Sequence, residues 1–265
     1  MIFVLAGTQD GRELAGYLLN RGERVLASVV SEYGERLLAQ YAAYVQQGEL
    51  SINDRPLDEA GLIECLATHS AVALVDASHP YAENASRNAM AACRALKLPY
   101  IRYERAAVPT DCRNIHPAKN YEDAARIASE HLETGSVFLT TGSRNLKAFV
   151  QSPHLAGKRI VARVLPTAKV LEECAALGFS PRDIIAMQGP FSQELNEAMF
   201  RQYQADVIVT KNSGRIGGAD TKLAAAKALE LPVVLIQRPG LDYPSVAQSF
   251  EEVLAFLQKI PRKEQ

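Results

Sequence analysis

Apolar and polar positions follow two alternating patterns along the chain. Short runs rich in β-branched residues, typical of buried strands, are each followed by a longer segment whose apolar residues recur at helical spacing. The first pair predicts a strand at Ile2–Ala6 and a helix at Gln9–Arg21, which Gly22 would end. Strands that alternate with helices in this way form parallel sheets with helices on both faces.

The same alternation continues through both halves of the chain. In the first half it predicts strands at Arg24–Val30, Ala71–Asp76 and Tyr100–Tyr103, and helices near Glu35–Tyr41 and at Leu57–Thr68 and Glu83–Leu96. In the second half it predicts strands at Ser136–Thr140, Arg159–Val164, Asp183–Met187, Asp206–Thr210 and Pro232–Ile236, and helices near Tyr121–Leu132, Lys169–Leu177, Gln193–Tyr203, Thr221–Leu229 and Val246–Lys259. From Glu104 to Asn120 prolines and mixed charge replace the periodicity, which indicates a connection between domains.

The length agrees with two domains. At roughly 100–200 residues per domain, 265 residues favour two medium domains. We therefore predict an α/β protein with two Rossmann-like, doubly wound parallel-sheet domains, residues 1–105 and 106–265, and a cleft between them.

Composition and charge exclude several classes of protein. Lys and Arg number 29 against 30 Asp and Glu, so the chain lacks the overall charge that binding of nucleic acid or an anionic membrane requires. No apolar run is long enough for a membrane helix or a signal peptide, and we expect a soluble, cytoplasmic protein. The four cysteines form no CxxC pair and the five histidines no HExxH motif, so no metal site or disulfide framework is expected.

Candidate chemistry follows the first predicted strand, because ligands of parallel sheets bind outside the carboxyl ends of the strands. Gly7 can form a tight turn, Thr8 can cap the next helix, and Gly11 would let a pyrophosphate approach the helix amides. The spacing is GxxxG, which fits a phosphate cradle or an ordinary strand-to-helix turn.

The second predicted strand ends before Ser31 and Glu32. Their distance along the chain from the glycine turn is that at which an acidic residue hydrogen-bonds a nucleotide ribose. Glu32 would repel a 2′-phosphate, which favours NADH over NADPH. Arg36 lies one turn later, however, and could form an ion pair with a 2′-phosphate. Glu32 at a solvated helix N-terminus is the alternative interpretation.

After the strand that ends at Asp76 come Ser78, His79 and Tyr81. His79 and Tyr81 are two titratable donors at the mouth of the sheet. His79 as a helix cap or core histidine is the alternative, and we expect Asp76 to hold the loop by accepting backbone N–H groups.

In the second half, most predicted strand ends carry a basic side chain. Basic residues that converge on one site repel one another unless an anion lies between them, so together they indicate a ligand rich in carboxylate or phosphate. An isolated base is more often solvated. The polar and basic residues concerned are Thr141, Gly142, Ser143, Arg144, Arg163, Lys211, Asn212, Ser213, Lys222 and Arg238.

Four segments together resemble the precorrin-6A reductase family of corrin-ring biosynthesis, and are most similar to the cobalt-precorrin-6A reductases of its anaerobic branch. They are residues 76–82 (DASHPYA), 98–105 (LPYIRYER), 189–192 (GPFS) and 210–214 (TKNSG). The first glycine turn departs slightly, because family members usually have Gly-Gly-Thr where this chain has Ala6-Gly7-Thr8.

The resemblance implies two Rossmann-like halves that lack the usual dinucleotide fingerprint and exchange their last strands. It implies a nicotinamide coenzyme on the first domain and a tetrapyrrole polycarboxylate on the second, with hydride transfer to a macrocycle double bond. The coenzyme residues would be Gly7, Thr8, Gln9, Gly11, Arg12, Ser31, Glu32, Ser78 and His79, and the catalytic candidates His79 and Tyr81. The substrate-binding residues would be Arg102, Arg105, Thr141, Gly142, Arg144, Arg163, Gly189, Phe191, Ser192, Lys211, Asn212, Ser213 and Lys222.

Three alternatives remain at this point. The first is a metal-free precorrin-6A reductase that uses NADPH. The second is a non-catalytic two-domain protein that binds a small anion. The third is an NAD-dependent enzyme that acts on a small phosphorylated or nucleotide-linked substrate, because a doubly wound fold hosts many chemistries.

Overall fold

A computed structural model describes residues 1–29, 32–42, 48–105, 114–214 and 218–261, without the side chains of residues 32, 33, 41 and 42. Its contacts divide the chain into two compact units. Unit 1 is Met1–Ala106 with Pro239–Gln265, and unit 2 is Ala107–Arg238.

Unit 1 contains a six-stranded parallel sheet with the strand order β12-β5-β4-β1-β2-β3. Its strands are β1 (Ile2–Leu5), β2 (Arg24–Ser28), β3 (Glu49–Asn53), β4 (Ala73–Asp76), β5 (Tyr100–Tyr103) and β12 (Val246–Ala247). Its helices are α1 (Gln9–Leu19), α2 (Glu32–Ala42), α3 (Glu59–Thr68), α4 (Glu83–Leu96) and α10 (Phe250–Gln258).

Unit 2 contains a second six-stranded parallel sheet, in the order β6-β11-β10-β7-β8-β9. Its strands are β6 (Ile115–Ala118), β7 (Ser136–Leu139), β8 (Ile160–Val164), β9 (Ile184–Ala186), β10 (Ala205–Lys211) and β11 (Val233–Ile236). Its α-helices are α5 (Tyr121–Glu130), α6 (Leu146–Val150), α7 (Ala168–Ala176), α8 (Gln193–Gln202) and α9 (Ala219–Ala228), with short 3-10 helices at Pro153–Leu155 and Pro181–Asp183.

Helices cover both faces of the unit 1 sheet, as the strand β1 illustrates. Val4 packs with Leu14 of α1 in one apolar cluster, whereas its neighbour Phe3 packs with Leu62 of α3 and Ala89 of α4 in another. Because successive strand residues point to opposite faces, β1 must be apolar at every position. The predicted fold class, two doubly wound parallel sheets, is confirmed.

The two sheets exchange their sixth strands. β12 is the last strand of the chain but pairs with β5 of unit 1, and β6, which follows β5 in sequence, pairs with β11 of unit 2. The predicted bounds 106–265 need correction at the carboxyl end, because Pro239–Gln265 belongs to unit 1, in agreement with the exchange of last strands that the resemblance implies.

Three further sequence-based predictions need correction. The segment predicted as a connection, Glu104–Asn120, contains the strand β6, and the predicted helix Val246–Lys259 begins as the strand β12 before α10. The prediction also lacked β3 and α6. None of the helices in the described part of the chain is long and apolar enough to cross a membrane.

Candidate active site

Each sheet reverses its winding direction between two neighbouring central strands. In unit 1 the reversal lies between β1 and β4, and in unit 2 between β7 and β10. Ligands of doubly wound sheets bind outside the carboxyl ends of the strands at such a switch point. The loops after these four strands are therefore the candidate site in each unit.

In unit 1, Thr8 ties the two loops of the switch point together. Its hydroxyl accepts a hydrogen bond from the amide of Gly11 at 3.0 Å, which caps α1, and donates one to the carbonyl of Ala77 at 2.9 Å. Gly7 beside it is exposed, and no atom lies within 4 Å of the position that a Cβ would take. The glycine turn thus leaves room at the N-terminus of α1.

Gly11 has a packing role that the sequence did not predict. A Cβ on Gly11 would lie 2.8 Å from the Cα of Ala6 and 3.1 Å from the carbonyl oxygen of Leu5. Glycine is therefore required for close packing of α1 against the end of β1.

Among the remaining predicted coenzyme residues, Arg12 has the most distinctive environment. Its Nε is buried and makes no hydrogen bond to any described residue, while Gln9 donates to Glu13 at 2.9 Å. Ser31 and the side chain of Glu32 lie outside the described residues. The choice between NADH and NADPH therefore stays a prediction from sequence.

Asp76 organises the loop after β4. Its carboxylate is fully buried and accepts hydrogen bonds from the Ser78 amide at 3.0 Å, the Ser86 hydroxyl at 2.6 Å and the Tyr100 hydroxyl at 2.7 Å. Burial alone would raise its pKa, but the Arg102 guanidinium and these hydrogen bonds outweigh burial and hold the pKa below its usual value. Asp76 thus stabilises the loop as a carboxylate, as the sequence predicted.

His79 and Tyr81, the predicted catalytic residues, lie together in this loop. The amide of Tyr81 donates to Nδ1 of His79 at 3.2 Å, and the ring centroids are 5.7 Å apart. Because Nδ1 accepts, the neutral imidazole carries its proton on Nε2.

The structure corrects the assignment of Arg102 as a substrate anchor. Arg102 is 1% exposed, and its guanidinium donates to Asp76 at 2.8 Å and to the Ser78 hydroxyl at 3.0 Å. Arg105 likewise forms an ion pair with the buried Asp10, whose pKa is raised by burial, against the lowering effect of Arg105. Both arginines have carboxylate partners within unit 1.

In unit 2, Lys211 ties the two switch-point loops together. Its Nζ donates to the carbonyl of Thr141 at 3.0 Å. The hydroxyl of Thr141 is buried and makes no hydrogen bond to any described residue. Gly142 next to it has φ +77° and open space around its Cβ position.

Two further cations of unit 2 are buried. Arg163 and Lys222 are 8% and 7% exposed, and neither forms an ion pair with a carboxylate of the described residues. Arg163 donates to the side-chain oxygen of Asn196 at 2.7 Å, and its guanidinium lies 4.3 Å from the centre of the Phe191 ring. We call Arg144, Arg163, Lys211 and Lys222 the basic cluster.

Proximity and burial disfavour the charged forms in the basic cluster. Burial lowers the pKa of Arg163 to about 10, and burial together with Arg144 lowers that of Lys211 to about 8. Lys222 has its pKa lowered to about 7 by burial, Arg163 and Lys211, against the opposite effect of Asp220. An anion would relieve this repulsion, as the sequence predicted for these bases.

The other predicted substrate residues of unit 2 mostly support this cluster. Ser192 caps α8 by accepting from the Leu195 amide at 3.2 Å, and a Cβ on Gly189 would lie 3.0 Å from the Phe191 ring. Asn212 and Ser213 are buried in the loop after β10. Asn196 was not predicted, although its spacing with the buried Met199 and Phe200 places a polar residue in an apolar helix stripe.

Fold and site together define a Rossmann-like protein with a glycine turn at one switch point and a basic cluster at the other. The chain belongs to the precorrin-6x reductase family, CbiJ/CobK, whose family model matches residues 1–258. It is thus an oxidoreductase of cobalamin biosynthesis, which confirms the resemblance seen in the sequence.

Relatives match the chain over nearly its whole length. The cobalt-precorrin-6A reductase of Priestia megaterium is 40% identical over 255 residues, which cover 96% of each chain. That of Methanocaldococcus jannaschii is 34% identical over 98% of each chain, and the precorrin-6A reductase of Rhodococcus erythropolis is 30% identical over 95% of this chain and 94% of its own. The solved structure of CobK precorrin-6A reductase has the same fold, with a TM-score of 0.73 at 24% identity over 97% of this chain and 96% of its own.

Proposed function

We propose that this protein reduces one carbon–carbon double bond of cobalt-precorrin-6A to give cobalt-precorrin-6B, with NADH as the preferred reductant, in the cytoplasm. The observation that carries the substrate is the 40% identity to the cobalt-precorrin-6A reductase of P. megaterium over 255 residues. The product differs from the substrate by one hydride and one proton, which are added to neighbouring carbons.

Unit 1 fits a nicotinamide coenzyme at its β1/β4 switch point. The open space at Gly7, the first amides of α1, which have no acceptor within the helix, and the buried Nε of Arg12 are suited to a diphosphate. We assign this group to Gly7, Thr8, Gln9 and Arg12, the nicotinamide end to Ser78 and His79, and the ribose to Ser31 and Glu32. When bound, the reduced nicotinamide supplies the hydride.

We assign the tetrapyrrole to unit 2, where the basic cluster would bind its acetate and propionate carboxylates. Arg163 and Lys222 are buried without a carboxylate partner among the described residues, so the charge of Arg163, and that of Lys222 when it is protonated, is available to an anion. Buried charges of this kind form strong, charge-assisted hydrogen bonds with carboxylates. Thr141, with its unpaired hydroxyl, would add a neutral donor.

For the proton we assign Nε2 of His79 as the donor, and a proton from the solvent restores the neutral ring after the transfer. The hydrogen bond from the Tyr81 amide to Nδ1 fixes the tautomer that carries the proton on Nε2. Tyr81 then acts by orienting the His79 ring. Replacement of Tyr81 by Phe should leave more activity than replacement of His79 by Gln, and the reverse order would make Tyr81 the donor.

The proposal is tested by following NADH and NADPH oxidation with purified cobalt-precorrin-6A and with its metal-free counterpart. We expect oxidation only when the macrocycle is present, and faster with NADH. No turnover with either coenzyme would contradict the proposal. A strong preference for NADPH would show that Glu32 does not select the coenzyme, and a preference for the metal-free ring would favour a precorrin-6A reductase like that of R. erythropolis.

A further inference from the structure

Unit 2 keeps two positive side chains buried without an ion-pair partner among the described residues. Arg163 lies on β8 and is 8% exposed, and Lys222 lies in the first turn of α9 and is 7% exposed. A buried charge without a partner is costly, and a group that can lose its charge does so. Arg163 and Lys222 differ in how readily they can lose a proton and become neutral.

Lys222 is the member of the cluster best placed to become neutral. A guanidinium keeps its proton in proteins, and that of Arg163 also contacts Asn196 and Phe191. The ammonium of Lys211 is stabilised by the carbonyl of Thr141 at 3.0 Å. No acceptor among the described residues contacts Nζ of Lys222.

The charges around Lys222 reinforce this difference. Arg163 from β8 and Lys211 from β10 repel its ammonium, and of the described residues Asp220 of its own helix is the one that opposes them. The helix α8 packs against α9, but its Glu197 pairs with Arg201 at 3.1 Å and its Glu194 is stabilised at the α8 N-terminus by Ser192. The pKa of Lys222 is lowered to about 7 by burial and by these neighbours.

On the basis of the substrate role proposed for unit 2, we propose that binding of a carboxylate to the basic cluster is accompanied by uptake of one proton, and that Lys222 takes it up. In the free protein the side chain is largely a neutral amine above neutral pH. A bound carboxylate replaces repulsion by attraction and favours the ammonium. The proton comes from the solvent, and no covalent bond changes.

Calorimetric titration tests the proposal with uroporphyrin, a tetrapyrrole octacarboxylate, as the probe. Titrations at about pH 7.5 in buffers of different ionisation enthalpy give the number of protons taken up. We expect most of one proton for the unaltered protein, since Lys222 is then mostly neutral. Lys222→Met should lose most of this uptake, and Lys227→Met, an exposed lysine on the same helix, should keep it.

The outcomes separate this proposal from the proposed function. Binding without proton uptake overturns the proposal and leaves the substrate role of unit 2 intact. Uptake that persists in Lys222→Met assigns the proton to another group and overturns the role of Lys222. If the unaltered protein binds no uroporphyrin, the carboxylate site itself is wrong, and both ideas about unit 2 fail, while oxidation of NADH by cobalt-precorrin-6A still tests the reductase.

A second measurement needs no ligand. The unfolded chain holds the lysine proton up to a pH near 10.5, but the folded chain only up to about 7. The folded state is therefore destabilised by Lys222 below about pH 7, and this penalty disappears as the pH rises towards 10.5. Lys222→Met should raise the melting temperature at about pH 6 and leave it unchanged at about pH 10, and an equal effect at both pH values would contradict a neutral Lys222.

Discussion

The two switch points treat buried charge in opposite ways. In unit 1 the buried Asp76 has the buried Arg102 at 2.8 Å, and the pair is further surrounded by hydroxyl donors. In unit 2 the buried Arg163 and Lys222 have no carboxylate among the described residues. Burial is similar in the two regions, and only the pairing differs.

This difference separates buried charges that are paired within their unit from those that have no carboxylate partner among the described residues. Arg102 and Arg163 both lie on strands, and the sequence predicted both as substrate anchors. Arg102 is paired with Asp76 within unit 1, whereas the buried charge of Arg163 has no carboxylate partner among the described residues and therefore lowers stability. A buried cation is therefore a candidate for ligand binding only when no carboxylate of the fold is paired with it.

The largest expected effect is the loss of stability when the unit 1 pair is broken. Asp76→Asn keeps the size of the side chain but leaves the buried charge of Arg102 with only the partly exposed Glu104, at 4.0 Å, among the described carboxylates, which should cost about 3 kcal/mol. Urea unfolding measures this loss. The matched control is Glu49→Gln in the exposed pair Arg24–Glu49, which should cost less than about 1 kcal/mol.

Equal losses for the two variants would remove the distinction between the regions. In that case the buried pair Asp76–Arg102 would stabilise the fold no more than the exposed pair Arg24–Glu49. The assignment of Arg102 to the folding of unit 1 would then be wrong.

The sequence predicted the interior strands well and three of the four edge strands poorly, the exception being β9. β1, β4 and β7 have neighbours on both sides and helices on both faces, so they form apolar runs that are easily recognised. β3, β6 and β12 were missed or misread, and each lies at a sheet edge. β6 even contains Pro117, which an edge strand tolerates because one side of it makes no ladder hydrogen bonds.

For the candidate site, the sequence predicted which residues lie at the strand ends. It did not predict which partners these side chains contact. The rule that ligands bind at the carboxyl ends of strands led to Thr8, His79 and Lys211, and the structure places these at the two switch points. It could not distinguish Arg102 from Arg163, because their partners are Asp76 on a neighbouring strand and Asn196 on a helix. Such partners become visible only when the sheet order is known.

The next effect in size concerns ligand affinity in unit 2. Lys211→Met removes one charged donor and should weaken uroporphyrin binding by about 1–3 kcal/mol, with little loss of folding stability. Lys147→Met is the control, because Lys147 is exposed on the nearby helix α6 and belongs to no cluster. If Lys211→Met binds the probe as tightly as the unaltered protein, Lys211 serves only to hold the loops through Thr141. Its charge would then have a structural role, like that of Arg102 in unit 1.

The smallest expected effect concerns the two hydrogen bonds of the Thr8 hydroxyl, one from the Gly11 amide and one to the Ala77 carbonyl. It tests whether the link between the two loops of unit 1 contributes to coenzyme binding. Thr8→Val removes the cap of α1, as Thr167→Val removes the cap of α7, where the Thr167 hydroxyl accepts from the Val170 amide at 3.4 Å. Each should cost about 1 kcal/mol in unfolding experiments. Thr8→Val also cuts the bond to Ala77, which holds the loop of His79, and should therefore reduce the rise in melting temperature that NADH causes, while Thr167→Val should not. An unchanged NADH effect in Thr8→Val would mean that the glycine turn alone positions the coenzyme, because the tie between the two loops would then contribute to folding and not to binding.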